Sequence, residues 1–390
     1  MAAGMSPRQA PPVLDVDGLL KDPEVKVIVT CGSGGVGKTT TAAALGLRAA
    51  EQGRRVVVLT IDPARRLAQS LGLVTLDNTP RQVTGIEGGG KLLAMMLDMK
   101  RTFDEVVLAN TTPDKAEQIF ANPFYQSLSA SFAGTQEYMA MEKLSQLRSR
   151  LVEHGDWDLI VVDTPPSRSA LDFLDAPQRL GRFLDGRMIR LLTAPARAGG
   201  KAYLKVVGAS FSIFSRVLNK ILGNDLLANV SAFVASLETM FGGFRERAEQ
   251  TYQLLKAPGT AFVVVASPEP DALREASFFV ERLQADAMPL AGVLLNRVRY
   301  AEVELSADRA TEAAQRLSGS AGTDPAAVEL TRTALLVHAE TAEAARHDRA
   351  MVARFAAAHP DVPELQVPAL ATDVHDLAGL RTIGEALAAG

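Results

Sequence analysis

The octapeptide Gly32-Ser33-Gly34-Gly35-Val36-Gly37-Lys38-Thr39 constrains this chain more than any other feature. It fits the pattern G-x-x-x-x-G-K-[ST], and its flanks are those the pattern requires. The β-branched run from Val25 to Cys31 precedes it, and a stretch from Lys38 to Gln52 with helical composition follows. Glycines lack the Cβ that would clash in such a loop, so successive backbone N–H groups turn inward and cradle anionic oxygens. The N-terminus of the next helix brings a positive dipole end to the same place. The ligand this implies is ATP. Gly34, Gly35, Val36 and Gly37 wrap the phosphates, with Thr40 in the same binding set. Lys38 bridges the outer phosphates, and the Thr39 hydroxyl ligates Mg²⁺.

A loop of this kind needs an acid at a nearby strand end to hold the metal. The run Asp158-Leu159-Ile160-Val161-Val162-Asp163 offers Asp163 as that metal residue, although a strand-end aspartate can also cap the following helix. Thr164-Pro165-Pro166 then stiffens a segment suited to sensing the terminal phosphate. A third acid, Asp62, ends the strand-like run Arg55 to Ile61. It is a candidate catalytic residue that orients the attacking water; its simpler alternative is an N-cap for the helix through Leu71.

Strand-like segments recur at Val25–Cys31, Arg55–Ile61, Lys91–Asp98, Asp158–Asp163, Thr260–Ser267, Leu290–Asn296 and Glu364–Val367, separated by helical stretches. Their apolar runs are continuous instead of alternating, as in strands covered by helices on both faces. The fold class expected is α/β: a doubly wound, mostly parallel sheet of the P-loop NTPase type with an inserted helical subdomain. Residues 1–22 read as a loose leader and 23–390 as one ATPase domain. Segments of about 99–150 and 170–257 carry no strand pattern and form the insertion. Within it, Leu204, Val207, Phe211, Phe214, Leu218 and Ile221 make a helical stripe that resumes after Gly223 and runs to Phe244.

Charge and cysteine content narrow the function. A net charge of −4 disfavours a nucleic-acid partner. The lone Cys31 forms no internal disulfide and no Cys-x-x-Cys zinc site, which fits a reducing, cytoplasmic setting. No run approaches the ~18 uncharged apolar residues of a membrane span. The five histidines show no metal-ligand spacing, and the basic pairs Arg65-Arg66 and Arg297-x-Arg299 read as solvated faces.

These motifs together resemble the ArsA family, which covers arsenite-pump ATPases and the guided-entry ATPases that carry tail-anchored membrane proteins. The resemblance rests on Gly34-Gly35-Val36-Gly37-Lys38-Thr39-Thr40, on Thr60-Ile61-Asp62-Pro63-Ala64 as a first switch and on Asp163-Thr164-Pro165-Pro166-Ser167 as a second. It implies that Asn296 contacts the adenine and that Pro368-Ala369-Leu370 closes over it. It also implies a dimer that sandwiches nucleotide between two chains, with a hydrophobic helical surface above. Where the family's loop carries a lysine that reaches the partner's nucleotide, this chain has Ser33. A cation supplied in trans is worth about 10³–10⁵ in rate in the best-studied cases. The expectation is a heterodimer with a paralogous ATPase that supplies the missing lysine.

The client side divides two ways. The stripes between Leu204 and Phe244, with Met95, Met96, Met99, Met139 and Met141, suit a groove for an apolar helix or a membrane protein. They suit internal packing as well, and each single methionine fits the core better. Two other function classes remain: a partitioning-type ATPase, and a slow ATP-binding switch with little turnover. The tail from Leu377 to Gly390 has Arg381 as its only cation, unlike the basic amphipathic end of a membrane-bound partitioning protein.

Overall fold

The computed structural model describes residues 11–61, 66–122, 125–126, 135–165, 246, 249–317 and 324–389. Among them, eight strands form one sheet: β1 Val27–Cys31, β2 Arg55–Thr60, β3 Arg81–Gln82, β4 Lys91–Met96, β5 Leu159–Asp163, β6 Thr260–Ala266, β7 Leu290–Val298 and β8 Glu364–Pro368. Their spatial order is β3-β4-β2-β5-β1-β6-β7-β8. Every pairing is parallel except β3 with β4.

The continuous apolar runs have the origin expected of them. Side chains alternate across a strand, so both faces of a covered sheet demand apolar residues. Val27, Val29 and Cys31 of β1 and Ile160 and Val162 of β5 enter one core. Ile28 of β1 and Leu159 and Val161 of β5 enter the other. The first core lies under helices Met99–Asn110, Thr135–Glu153 and Pro270–Ala285. The second lies under Lys38–Glu51 and the last helix, Leu377–Ala388. Each fully buried Val or Leu contributes about 1.5–3 kcal/mol.

The chain winds outward from β1 to β2 and β4, returns to insert β5, and then builds β6, β7 and β8 on the opposite side. The direction of winding therefore reverses at β1, and the carboxyl ends of β1, β5 and β6 open on one edge. Crevices at such a reversal are where open α/β sheets bind ligands.

Residues 12–21, read from the sequence as part of a loose leader, are built into the fold. Val13 bridges Glu364 beside β8. Asp15 caps the helix Val16–Lys21, and Leu14, Val16 and Leu20 are buried. One helical turn and a half is too short to show periodicity. The two-residue β3 carries no sequence pattern either.

Of the segments read from the sequence as an insertion, the helices Met99–Asn110, Pro113–Ala121 and Thr135–Glu153 are described, between β4 and β5. The apolar stripes from Leu204 to Phe244 lie outside the described residues. Met95, Met139 and Met141 are core residues, at most 1% exposed. Met96 and Met99 are partly buried and pack against the two cores. Toward the other end of the sheet, the helix Ala307–Leu317 pairs with the long helix Pro325–Ala358. No helix among the described residues is long and apolar enough to cross a membrane.

Candidate nucleotide site

The loop after β1 takes its shape from positions where a side chain has no room. Gly32 has φ +149°, and a Cβ there would stand 2.1 Å from the Val265 carbonyl oxygen of β6. Gly37 has φ +95°, and its Cβ would meet the Asn296 amide nitrogen at 2.3 Å. Both glycines are thus set by φ and by contact, which explains why the motif tolerates so little else. Lys38 begins the helix and is 5% exposed. Its Nζ donates to the Ser33 carbonyl oxygen at 2.7 Å, across the mouth of its own loop.

Thr39 and Asp163 meet directly. Thr39 Oγ1 donates to Asp163 Oδ2 at 2.7 Å, and Thr60 Oγ1 donates to the same oxygen at 2.9 Å. Asp163 is fully buried at the end of β5. The β5 end is tied to its neighbours: Ile61 N–H donates to the Asp163 carbonyl at 2.9 Å, and Thr164 Oγ1 donates to the Thr30 carbonyl at 2.8 Å. Hydroxyl and carboxylate oxygens are the hard donors Mg²⁺ prefers, and one or two protein oxygens suffice where phosphates complete its shell. The pair Thr39–Asp163 fits that ion. No group of three or more His, Cys, Asp or Glu side chains placed to hold a metal ion occurs among the described residues.

On the other flank, Asn296 near the end of β7 is 7% exposed and donates from Nδ2 to the Val36 carbonyl at 2.8 Å. The next residue, Arg297, has φ +63° and reaches from Nη1 to the Gly35 carbonyl at 3.2 Å. A cavity of about 550 Å³ opens there, lined by Gly37, Thr40, Asn296, Arg297 and Pro368 among others. Pockets of about 300–1,000 Å³ are the usual size for cofactors. Its far wall, the segment after β8, is held by the Ala369 N–H on the Val298 carbonyl at 2.9 Å.

The structure brings Gly34–Thr40, Asp163, Asn296 and Pro368 to one edge of the sheet. Asp62 lies outside the described residues, as do Pro166 and Ser167; Ile61, just before Asp62, ends beside Asp163. Four residues make contacts that the sequence reading did not assign. Thr60 and Thr164 fall within the two switch motifs, but no local signal gives their partners, the Asp163 carboxylate and the Thr30 carbonyl. Arg297 and Arg299, read there as a solvated basic pair, have specific partners: Arg297 contacts the loop, and Arg299 pairs with the buried Asp348. That partner lies 49 residues away, beyond any local pattern.

Cys31 sits beneath the loop and is 1% exposed. Burial pushes its thiol up to about 12, against the opposing pull of Lys38. It is therefore a packing residue with an inert thiol.

Comparison with known proteins agrees with this geometry. The family model described as anion-transporting ATPase matches residues 25–316. ATPase GET3 of Malassezia globosa is 29% identical over 176 residues, covering 45% of this chain and 48% of that protein. ATPase GET3 of Podospora anserina is 26% identical over 285 residues, covering 72% of this chain and 76% of the relative. ATPase GET3A of Arabidopsis thaliana is 25% identical over 290 residues, with 74% and 71% covered. A model match over most of the chain, on a sheet whose winding reverses at a phosphate-type loop, places this chain in the anion-transporting ATPase family, and its reaction is the hydrolysis of ATP.

Proposed function

We propose that this chain is the Mg²⁺-dependent subunit of a dimeric ATPase whose nucleotide state controls the grip on a hydrophobic client. The observation that carries the reading is the Thr39–Asp163 contact of 2.7 Å beside the glycine loop. Two hard oxygens stand there at the mouth of a phosphate cradle. In this reading the loop amides of Gly34 to Gly37 and the Lys38 ammonium neutralise the phosphate oxygens. Thr39 and Asp163 hold Mg²⁺, which adds further positive charge when bound. Asp62 orients a water whose oxygen attacks the γ-phosphorus. The bond to the β-phosphate oxygen breaks, and ADP leaves with that electron pair. Little covalent help is needed; positioning and cancelled charge lower the barrier.

Asn296 and Pro368 receive the base in the cavity beside Gly37, close enough to the loop for one nucleotide to span both. Gln136 at the start of the helix Thr135–Glu153 donates from Nε2 to the Ile61 carbonyl at 2.9 Å. This contact gives the inserted helices a direct connection to the residue before Asp62, as coupling to a client requires. The client itself, a hydrophobic helix or a membrane protein, follows from the resemblance to guided-entry ATPases and from the apolar stripes of the insertion.

Ser33 supports a split site. It offers no cation where the resemblance places a lysine, and a paralogous partner would provide one. The test is a pull-down of the Asp62→Asn chain with Mg·ATP, read by mass spectrometry. Recovery of a paralogue with lysine at that position supports the heterodimer. A homodimer with full turnover by itself refutes it and leaves a self-sufficient ATPase.

A further inference from the structure

Asn296 and Arg297 belong to a short exit segment of β7 that an unrelated helix holds in place. The pairing of β7 with β8 shifts register between Leu295 and Val298, so the sheet alone does not fix these residues. Arg297 adopts a left-handed backbone, which is uncommon for a residue with a side chain and persists only when its surroundings impose it. Two residues on, the chain is anchored at Arg299 by Asp348, in the C-terminal half of the helix Pro325–Ala358. Asp348 is fully buried. Its Oδ2 accepts from the Arg299 backbone N–H at 2.9 Å and from Arg299 Nε at 2.8 Å, while Oδ1 pairs with Arg299 Nη2. One carboxylate thus holds both the main chain and the side chain two residues beyond Arg297.

We infer that Asp348 is a positioning residue for nucleotide recognition: by clamping Arg299 it holds the Asn296–Arg297 turn against the phosphate loop and so sets ATP affinity and base discrimination. The geometry gives a continuous path. Asp348 binds Arg299, the left-handed turn at Arg297 follows from that anchor, and the turn sets the Asn296 amide on Val36 and the Arg297 guanidinium on Gly35. Val298 lies inside the clamp and also holds the far wall of the cavity through Ala369. Release of the clamp would therefore loosen both walls of the base pocket. It would leave Lys38 and Thr39, at the start of the helix Lys38–Glu51, and Asp163, at the end of β5, untouched. The reactive centre and the base pocket are separable in this way, and Asp348 acts on the second.

This inference rests on the reading of Asn296 as the base contact, so the experiment tests the two separately. Steady-state ATP and GTP hydrolysis would be measured for the full chain, Asp348→Asn, Asn296→Ala and the double variant. Coupling of the size usual between contacting residues gives Asp348→Asn a rise in KM for ATP of about tenfold, with kcat changed less than about twofold. The preference for ATP over GTP should shrink alongside. In the double variant Asp348→Asn should add little to the effect of Asn296→Ala. A purely structural role would instead lower the active fraction, reduce kcat and leave KM and base preference alone. Arg299→Lys keeps the charge but loses the fork, and should show the same split, about threefold in KM; it decides the matter if Asp348→Asn does not fold. An unchanged KM in Arg299→Lys, or additive effects in the double variant, overturns the inference while leaving Asn296 as the base contact. Wild-type KM and base preference in Asn296→Ala overturn both.

Discussion

Asp163→Asn separates stability from catalysis, because two of the contacts on the buried carboxylate come from hydroxyls that an amide oxygen can also satisfy. The substitution keeps the side-chain volume, and an amide oxygen at the Oδ2 position still accepts from Thr39 and Thr60. Each hydroxyl bond weakens from about 1.5–3 kcal/mol against a charge to about 1 kcal/mol against a neutral acceptor. In return the fold no longer buries an ion, whose desolvation costs several kcal/mol even after relaxation. The two changes oppose each other, so nucleotide-free stability should move by less than ~2 kcal/mol. Catalysis has no such offset, since the negative charge proposed to hold Mg²⁺ is gone. Turnover should fall by at least about 10²-fold, equivalent to ~2.7 kcal/mol of barrier. Phosphate release and thermal melts with and without Mg·ATP read both quantities. At 100 times its Kd, Mg·ATP should stabilise the wild type by about 2.7 kcal/mol, a gain the variant largely loses. Turnover within about threefold of wild type, or a variant that melts far below it without nucleotide, would refute the reasoning.

Gly32→Ala should cost at least about 2–3 kcal/mol in thermal or urea melts, since it forces a strained φ and a contact with β6. Strand β6 is paired on both sides and cannot recede. Gly53→Ala, at φ +102° with open space around its Cβ, should cost only about 1 kcal/mol. Cys31 should resist a thiol reagent at pH 8 in the folded protein and react at once in denaturant, because burial keeps it protonated. Asp17 is held well below the usual carboxylate range, first by its bonds to Arg48 on the phosphate-loop helix. A depressed carboxylate stabilises the fold above its unfolded pKa and loses that effect as pH falls through the folded value. Asp17→Asn should therefore cost about 1 kcal/mol at pH 7, after screening at this part-exposed site, and flatten the loss of stability below about pH 4.

Much of this fold was legible because burial on two faces writes itself into continuous apolar runs. Seven of the strands coincide within two residues with runs such as Val56–Leu59 and Phe262–Ala266. The loop was legible for a different reason: a phosphate cradle needs glycines at fixed places, and Gly32 and Gly37 have no space for a Cβ. Elements that depend on distant partners were not. The helix Val16–Lys21 owes its order to Asp15 and to burial of Leu20, not to its own propensity. Arg299 looks solvated beside its sequence neighbours, and only the fold reveals Asp348 under it. Thr60 reaches Asp163 because β2 and β5 are adjacent, a fact of strand order that no local pattern encodes.

The most direct test of the central claim, that Lys38 and its loop hold the phosphates of Mg·ATP, is a calorimetric titration of the purified chain and of Lys38→Ala with ATP, with and without Mg²⁺. The account predicts binding by the wild type that strengthens with Mg²⁺. In Lys38→Ala, loss of charge-assisted hydrogen bonds of about 1.5–3 kcal/mol should weaken it by at least about tenfold. Equal affinity in the two proteins, or binding indifferent to Mg²⁺, would contradict it.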